Sequence, residues 1–218
     1  MFRRILIANR GEIAVRVIRA CREMGIASVA VYSSADRDSL HALLADEAIC
    51  IGPAEAAESY LNIPSIIAAA EVSDVQAIHP GYGFLSESPK FARICSDCGI
   101  KYIGPSPETV ALSGDKAACR KEVSAAGVPI VPGSAGVIHT PEEALPVAEQ
   151  IGFPVVVKAA AGGGGKGMRI AHNSAVLKST VGLAAGEAEA AFGSGGVYLE
   201  KHLEGARHVE FQVIADEY

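Results

Sequence analysis

An α/β fold is predicted for this 218-residue chain, a parallel sheet first and a small α+β lid after it, on three observations. Short apolar runs alternate with helical periodicities from Ile5 to Ile103, the pattern of successive βαβ units. Gly104-Pro105-Ser106-Pro107 then interrupts the alternation as a domain boundary would. Further on, five glycines in the six positions Gly162 to Gly167 stand between two short apolar strands, an arrangement of hairpin and not of βαβ type.

Each element has its own justification. Ile5-Leu6-Ile7-Ala8 is a continuous apolar run, as in a parallel strand buried on both faces. After the turn Asn9-Arg10-Gly11-Glu12, the residues Ile13, Val17, Ala20, Cys21 and Met24 recur at helical spacing, and Gly25 closes that helix. Ser28 to Tyr32 is the second strand, which completes a Rossmann-like βαβ unit with a right-handed crossover. A helix around Leu40 to Ala45, a strand at Ala48 to Ile51 and a helix from Pro64 to Glu71 follow. Then come a strand at Val75 to His79, a helix from Pro89 to Cys98 and a strand at Lys101 to Ile103. The loop His79-Pro80-Gly81-Tyr82-Gly83-Phe84-Leu85-Ser86-Glu87 sits at the carboxyl end of a strand, where open α/β sheets keep their ligands; it reads equally as a βα turn with a packed aromatic.

Beyond the boundary, Ser113-Gly114-Asp115-Lys116 opens a helix to about Ala126, and Gly127 to Gly133 is a stiff linker. Thr140-Pro141-Glu142-Glu143 is a capping box with proline at the first helical position. Its helix carries Ala144, Val147, Ala148 and Ile151 on one face. The strand Val155 to Lys158, the glycine loop and a return strand from Met168 to Ala171 come next. A helix from Asn173 then buries Leu177, Val181, Ala184, Ala188 and Phe192, and Val197 to Glu200 is another strand. Arg207 to Ala215 alternates strictly, with Val209, Phe211 and Val213 on one side and His208, Glu210 and Gln212 on the other, and is expected as a strand. Its open edge would invite self-association.

Composition excludes several function classes. Half the residues are hydrophobic and a fifth charged, ordinary for a globular α/β domain. The net charge of −6 and pI near 5.5 argue against a nucleic-acid binder. No apolar run approaches the ~20 residues of a membrane span, and the run after Arg4 is too short for a signal peptide, so the expected compartment is the cytoplasm. Five scattered cysteines suit free thiols. Cys95-Ser96-Asp97-Cys98 lacks the second ligand pair of a zinc site and the strand context of a redox motif, so it reads as structural.

The glycine loop carries the chemistry. Glycines leave backbone N–H groups free to face a ligand with no Cβ in the way. No Asp or Glu occurs between Gln150 and Gly186, whereas Lys158, Lys166, Arg169 and Lys178 do. Such a positive island in an acidic chain points to a polyphosphate, with a floppy solvent loop as the plainer reading. The spacing Gly162-x-Gly164-x-x-Gly167 fits the dinucleotide fingerprint, but a strand follows instead of a helix. A Walker A loop would need Gly where Ala160 stands and Ser or Thr where Gly167 stands. A glycine flap over a nucleotide remains. Lys116, a cation in the first turn of a helix, is mildly disfavoured there by the helix dipole and is explained either by a bound anion or as a solvated surface lysine.

Six motifs in order, Ile7-Ala8-Asn9-Arg10-Gly11-Glu12-Ile13-Ala14, Tyr32-Ser33-Ser34-Ala35-Asp36, the His79–Glu87 run, Gly114-Asp115-Lys116, the Gly162–Met168 loop, and Glu200-Lys201 through Arg207-His208-Val209-Glu210, resemble the ATP-grasp enzymes and among them the biotin carboxylases. The resemblance implies a Rossmann-like N-terminal domain over 1–105, a helical linker over 106–129, an ATP-grasp lid over 130–203 and, from 204 to 218, the first strand of an incomplete large lobe. It implies ATP-dependent formation of carboxyphosphate from bicarbonate, with Mg²⁺ or Mn²⁺, and carboxylation of biotin on a carrier protein, next to a carboxyltransferase and in a homodimer, as in acetyl-CoA carboxylase. By resemblance Lys116, Lys158, Gly164 and Gly165 hold phosphates, Met168 packs on the adenine, Glu200, Lys201, His202 and Leu203 form the hinge that reads it, and His208 lies near the nucleotide. The family's metal-binding carboxylates, bicarbonate arginine and base fall beyond Tyr218, so catalytic and metal residues are expected outside this chain. The chain alone is expected to turn over no bicarbonate and to hold ATP weakly. Rival readings are another ATP-grasp ligase, for which the His79–Glu87 run is not expected, a nicotinamide-dependent oxidoreductase, and a non-catalytic binding or assembly module.

Overall fold

The computed structural model describes residues 1–160, 168–192 and 195–216, without the side chains of 116, 117, 191 and 192. Its contacts divide the chain into two units, Met1–Asp115 and Lys116–Tyr218.

The first unit is a five-stranded parallel sheet in the order β3-β2-β1-β4-β5. Its strands are β1 (Arg4–Ile7), β2 (Ala27–Ser33), β3 (Glu47–Gly52), β4 (Ala77–His79) and β5 (Lys101–Tyr102). The helices between and after them are α1 (Gly11–Glu23), α2 (Leu40–Leu44), α3 (Ile63–Val72), α4 (Pro89–Asp97) and α5 (Pro107–Gly114). Leu6, Ile7, Val29, Val31 and Ile78 are almost wholly buried, as expected of strands covered on both faces. On α1 the buried stripe is Ala14, Val15, Val17, Ile18 and Cys21. Met24, expected on that stripe, is instead the exposed C-cap, because Gly25 at φ +68° turns the chain away there.

Helix starts follow their caps. Asn62 accepts from the Ser65 N–H, Ser88 from Phe91 and Ser106 from Thr109, each with proline in the first turn. The α5 helix falls within the expected helical linker of 106–129, although the residue-by-residue reading starts a helix only at Ser113. Its signal, Ser106-Pro107-Glu108, is an N-cap with proline at N1, and the same residues read as a domain boundary. Cys21 and Cys95 are buried and Cys50 and Cys98 exposed, all free thiols, and burial pushes the Cys95 thiol up to about 12.

The second unit contains α6 (Lys116–Ala125), α7 (Pro141–Ile151), β6 (Val155–Ala159), β7 (Arg169–Ala171), α8 (Ser174–Phe192) and β8 (Val197–Lys201). The strands form an antiparallel sheet in the order β7-β6-β8. Thr140 caps α7 by accepting from the Glu143 N–H at 3.2 Å, and the Glu143 carboxylate reaches back to the His139 N–H at 2.9 Å. One face of the sheet, Val155, Val157, Val197 and Leu199, packs with Ala144 and Ala148 of α7 and Leu177, Val181 and Ala184 of α8. Residues 207–216 depart from expectation. They are irregular and exposed, Phe211 at 83% and Val213 at 79%, not a strand. Alternation supplies a two-faced side-chain pattern, but a strand also needs a neighbour to take its backbone hydrogen bonds, and among the described residues none pairs with it.

Among the described residues, no helix is long and apolar enough to cross a membrane. His41 is the buried residue of α2, 1% exposed, with Nε2 against the Val31 carbonyl at 3.2 Å. Burial holds it below the ordinary histidine value, and His79 is lowered for the same reason. The unfolded chain takes up these protons near pH ~6.5 and the folded one resists, so stability is full above that pH and is lost as pH falls toward the folded values. Asp36 and Asp46 are also depressed, but their contribution fades only below ~4. The thermal midpoint should therefore drop by several degrees from pH 7.5 to about 5.5, at roughly 2–4 °C per kcal/mol, and His41→Gln should shrink the drop in a circular-dichroism melt. An unchanged drop in both His41→Gln and His79→Gln would contradict this origin.

Candidate functional site

In the first unit the sheet order reverses between β1 and β4, and the loops after those two strands meet at the crevice. Asn9, 3% exposed, ties them together: its Nδ2 donates to the Pro80 and Tyr82 carbonyls at 2.8 Å each. Gly81 at φ +65° lies so close to this amide that a Cβ there would meet Nδ2 at 2.8 Å. The Gly81 N–H donates to His79 Nδ1 at 3.0 Å, which leaves the proton of the neutral ring on Nε2. Phe84 takes φ 46°, a conformation uncommon outside glycine, and stacks on Tyr60 with centroids 5.3 Å apart.

Arg10 lies over both rings, at 5.6 and 5.9 Å, and pairs with Asp36 at 3.2 Å. Asp36 also accepts from Tyr60 Oη at 2.7 Å and Ser33 Oγ at 3.0 Å. Burial pushes its carboxyl up, but these bonds outweigh burial and hold it below the usual range; burial raises the Tyr60 phenol to about 12. The result is a cleft of about 550 Å³ lined by Asn9 to Ile13, Asp36, Ser39 and Tyr82 to Phe84. Tyr82, 61% exposed, bonds to Glu12 at its rim. Of this assembly, the Ile7–Ala14 motif, the motif ending at Asp36 and the His79–Glu87 run were legible. Tyr60 was not, since nothing local marks it.

In the second unit the strand register does the positioning. Val156 lies opposite Glu200 and Lys158 opposite Tyr198, so Lys158 and Glu200 are diagonal neighbours on the face turned from the α7–α8 core. Their side chains form an ion pair. From α6, Arg120 reaches the same carboxylate at 3.5 Å, donates to the Val131 carbonyl and lies over the Tyr198 ring at 5.3 Å. Arg120 was missed as well, because a lone arginine on an amphipathic helix carries no local signal.

The remaining expected residues are placed as follows. The Lys201 N–H donates to Pro132 and the His202 N–H to Pro154, while Lys201 Nζ is held by the Gly152 and Phe153 carbonyls at 2.9 Å each. Leu203 and Met168 are about half exposed. His208, expected on a strand, stands in the irregular 207–216 segment with its side chain 86% exposed, 3.9 Å from Glu210, and makes no hydrogen bond or ion pair to Lys158 or Glu200. Gly164 and Gly165 lie outside the described residues, and of Lys116 only the backbone, at the start of α6, is described. No group of three or more His, Cys, Asp or Glu able to hold a metal ion occurs among the described residues.

Comparison with known proteins bears on both units. Residues 1–110 match the biotin carboxylase N-terminal domain family and residues 115–218 match the ATP-binding domain family of the carbamoyl-phosphate synthase L chain. The chain is 57% identical to a biotin carboxylase of Nostoc sp. over all of its own length and 48% of the relative's. It is 52% identical to biotin carboxylase 1 of Bacillus subtilis, again over 48% of that protein. A solved Campylobacter jejuni biotin carboxylase, in complex with a nucleotide named as β-γ-ATP, superposes with a TM-score of 0.87 at 50% identity, covering 94% of this chain and 46% of the other. The biotin carboxylase domain dimer of Hydrogenobacter thermophilus 2-oxoglutarate carboxylase, with MgADP, ADP and bicarbonate, gives 0.85 at 48% identity, covering 94% and 45%. The chain thus spans about half the length of the curated relatives it matches.

Removing the Asn9 amide should loosen the crevice of the first unit. Asn9→Ala leaves two loop carbonyls without their donor at a cost of about 1–3 kcal/mol. Hydrogen-exchange mass spectrometry should show faster exchange in peptides spanning 79–85, with β2 and β3 unchanged. Equal protection in variant and parent would mean that Asn9 does not hold the loop.

Proposed function

The chain belongs to the biotin carboxylase family, and from that membership we propose that it supplies the N-terminal α/β unit and the nucleotide-binding lid for ATP-dependent carboxylation of biotin. The reaction in this reading is the phosphorylation of bicarbonate by ATP, followed by transfer of the carboxyl group to biotin on a carrier protein, with a carboxyltransferase downstream and a second copy of the enzyme as dimer partner. The single observation that supports the assignment to this part of the chain is the pairing of β6 with β8, which sets Lys158, just before the glycine run in the sequence, beside Glu200 on the face turned from the core.

The residues act by position and charge. Phosphoryl transfer asks the protein mainly to place the phosphates and to stabilise charge. Lys158 offers a cation 28% exposed, and Lys116 begins the helix that also carries Arg120. Gly164 and Gly165 contribute N–H donors. Met168 packs on the base. The run from Glu200 to Leu203 reads it through backbone groups. Since the N–H groups of Lys201 and His202 are already donated to Pro132 and Pro154, the Leu203 amide and the carbonyls of that run take this role. His208 joins the site only if the 207–216 segment is brought against the nucleotide.

A magnesium ion would neutralise phosphate charge, but the described residues offer no ligand cluster for it. The match of residues 115–218 to a carbamoyl-phosphate synthase domain is shared chemistry of the ATP-binding lid, and the match over 1–110 favours the carboxylase.

A fluorescent ATP analogue should bind the 218-residue chain in titration and be displaced by ATP, whereas NADH should not register. Lys158→Met should weaken binding about tenfold or more, the loss of one charge-assisted phosphate contact at ~1.5–3 kcal/mol. Binding of NADH in preference to ATP, or full affinity in Lys158→Met, would overturn the reading.

A further inference from the structure

Glu200 presents a chemical problem at a site meant for phosphates: its carboxylate holds Lys158, the cation such a site needs. Arg120, Glu200 and Lys158 form a cluster with side-chain exposures of 18%, 20% and 28% and two positive charges to one negative. A half-buried carboxylate cannot simply be abandoned by its only cation, because the desolvated charge would be left uncompensated. Here it has two. The Arg120 guanidinium is anchored independently, by the Val131 carbonyl and the Tyr198 ring, and sits 3.5 Å from the carboxylate.

We propose that Arg120 is a positioning residue that takes over the Glu200 carboxylate when Lys158 turns to a phosphate, so that Glu200 holds the ammonium in place beforehand without trapping it. The inference rests on the nucleotide reading of Lys158 and adds a role for two residues beside it. The planar fork suits the task, for it can close on a carboxylate with two parallel bonds while its π face stays on Tyr198. The cluster's surplus of one positive charge is what a phosphate tail then meets. Without Arg120, one cation faces one anion, and binding an external anion requires breaking a neutral pair.

This differs in sign from a merely structural role. Losing a structural arginine would loosen β8 and free Lys158; losing a competitor for Glu200 fastens Lys158 more tightly. Amine acetylation of the 218-residue chain, followed by peptide mass spectrometry, reads the difference at Lys158, with Lys201, held by two carbonyls, as an internal reference. Arg120→Gln should slow Lys158 labelling several-fold against the parent. Glu200→Gln should accelerate it, and the double variant should label like Glu200→Gln alone. Faster or unchanged labelling of Lys158 in folded Arg120→Gln would overturn the proposal.

Should Arg120→Gln unfold the unit, seen as fast labelling of Lys201 too, Arg120→Lys decides, since it keeps the charge. A Lys158 rate at the parent's level, with Lys201 protected, supports the proposal, and acceleration at Lys158 alone overturns it. ATP should protect Lys158 in the parent. Absence of that protection sinks the nucleotide reading, whereas the order of rates among the nucleotide-free variants tests the exchange of partners by itself.

Discussion

The register between β6 and β8 is the constraint on which the second unit depends. Val157 faces Leu199 and Val155 faces Lys201, so one side of the pair presents Val155, Val157, Val197 and Leu199 to the helices and the other presents Lys158, Tyr198 and Glu200. Because side chains alternate with a period of two, a slip of one residue would bury the lysine and expose the valines. The apolar packing against Ala144, Ala148, Leu177 and Val181 therefore fixes the site's charges as firmly as it fixes the fold. Stability and chemistry share one alternation, and the second unit cannot lose the first without losing the second.

The first unit solves a similar problem with polar atoms. A parallel sheet ordered β3-β2-β1-β4-β5 brings the ends of β1 and β4 together but leaves the loops beyond them without ladder partners. Asn9 supplies the missing donors, Gly81 makes room for its amide, and the Tyr60–Phe84 stack with Arg10 across it closes the other side. Phe84 in a left-handed conformation is a local cost that these contacts offset.

How much of this the sequence discloses follows from the range of each interaction. Strands, helices and caps depend on neighbours a few residues apart, so β1, α1, the Thr140 cap and the β6–loop–β7 hairpin are visible in order. Lys158 stands out because acidic residues are missing around it in the sequence, and only the fold sets Glu200 beside it. Tyr60 reaches Asp36 across 24 positions and Arg120 reaches Glu200 across 80, and neither distance leaves a periodicity to detect. The 207–216 segment fails in the opposite direction. Its alternation is clear, yet pairing decides whether an alternating segment is a strand, and pairing is not a property of the segment alone.

The two hidden residues share a character that explains both their placement and their silence. Asp36 would be an isolated, partly buried carboxylate without Arg10 and Tyr60, and Glu200 would be one without Arg120 and Lys158. In the first case the carboxylate has a fixed cation and three neutral donors, the Tyr60, Ser33 and Ser39 hydroxyls, so the arrangement is stable as it stands. In the second it has two cations and no neutral donor among its described partners, so one cation is exchangeable. A carboxylate offers one negative charge and a triphosphate tail several, so a tail entering beside Lys158 has the larger electrostatic claim on the ammonium, provided the carboxylate it leaves is not stranded. Both the rigid pair and the exchangeable triad are built on a carboxylate met by an arginine distant in sequence. What separates them is how many cations and how many neutral donors surround the carboxylate, and that is set by where the fold brings distant segments together.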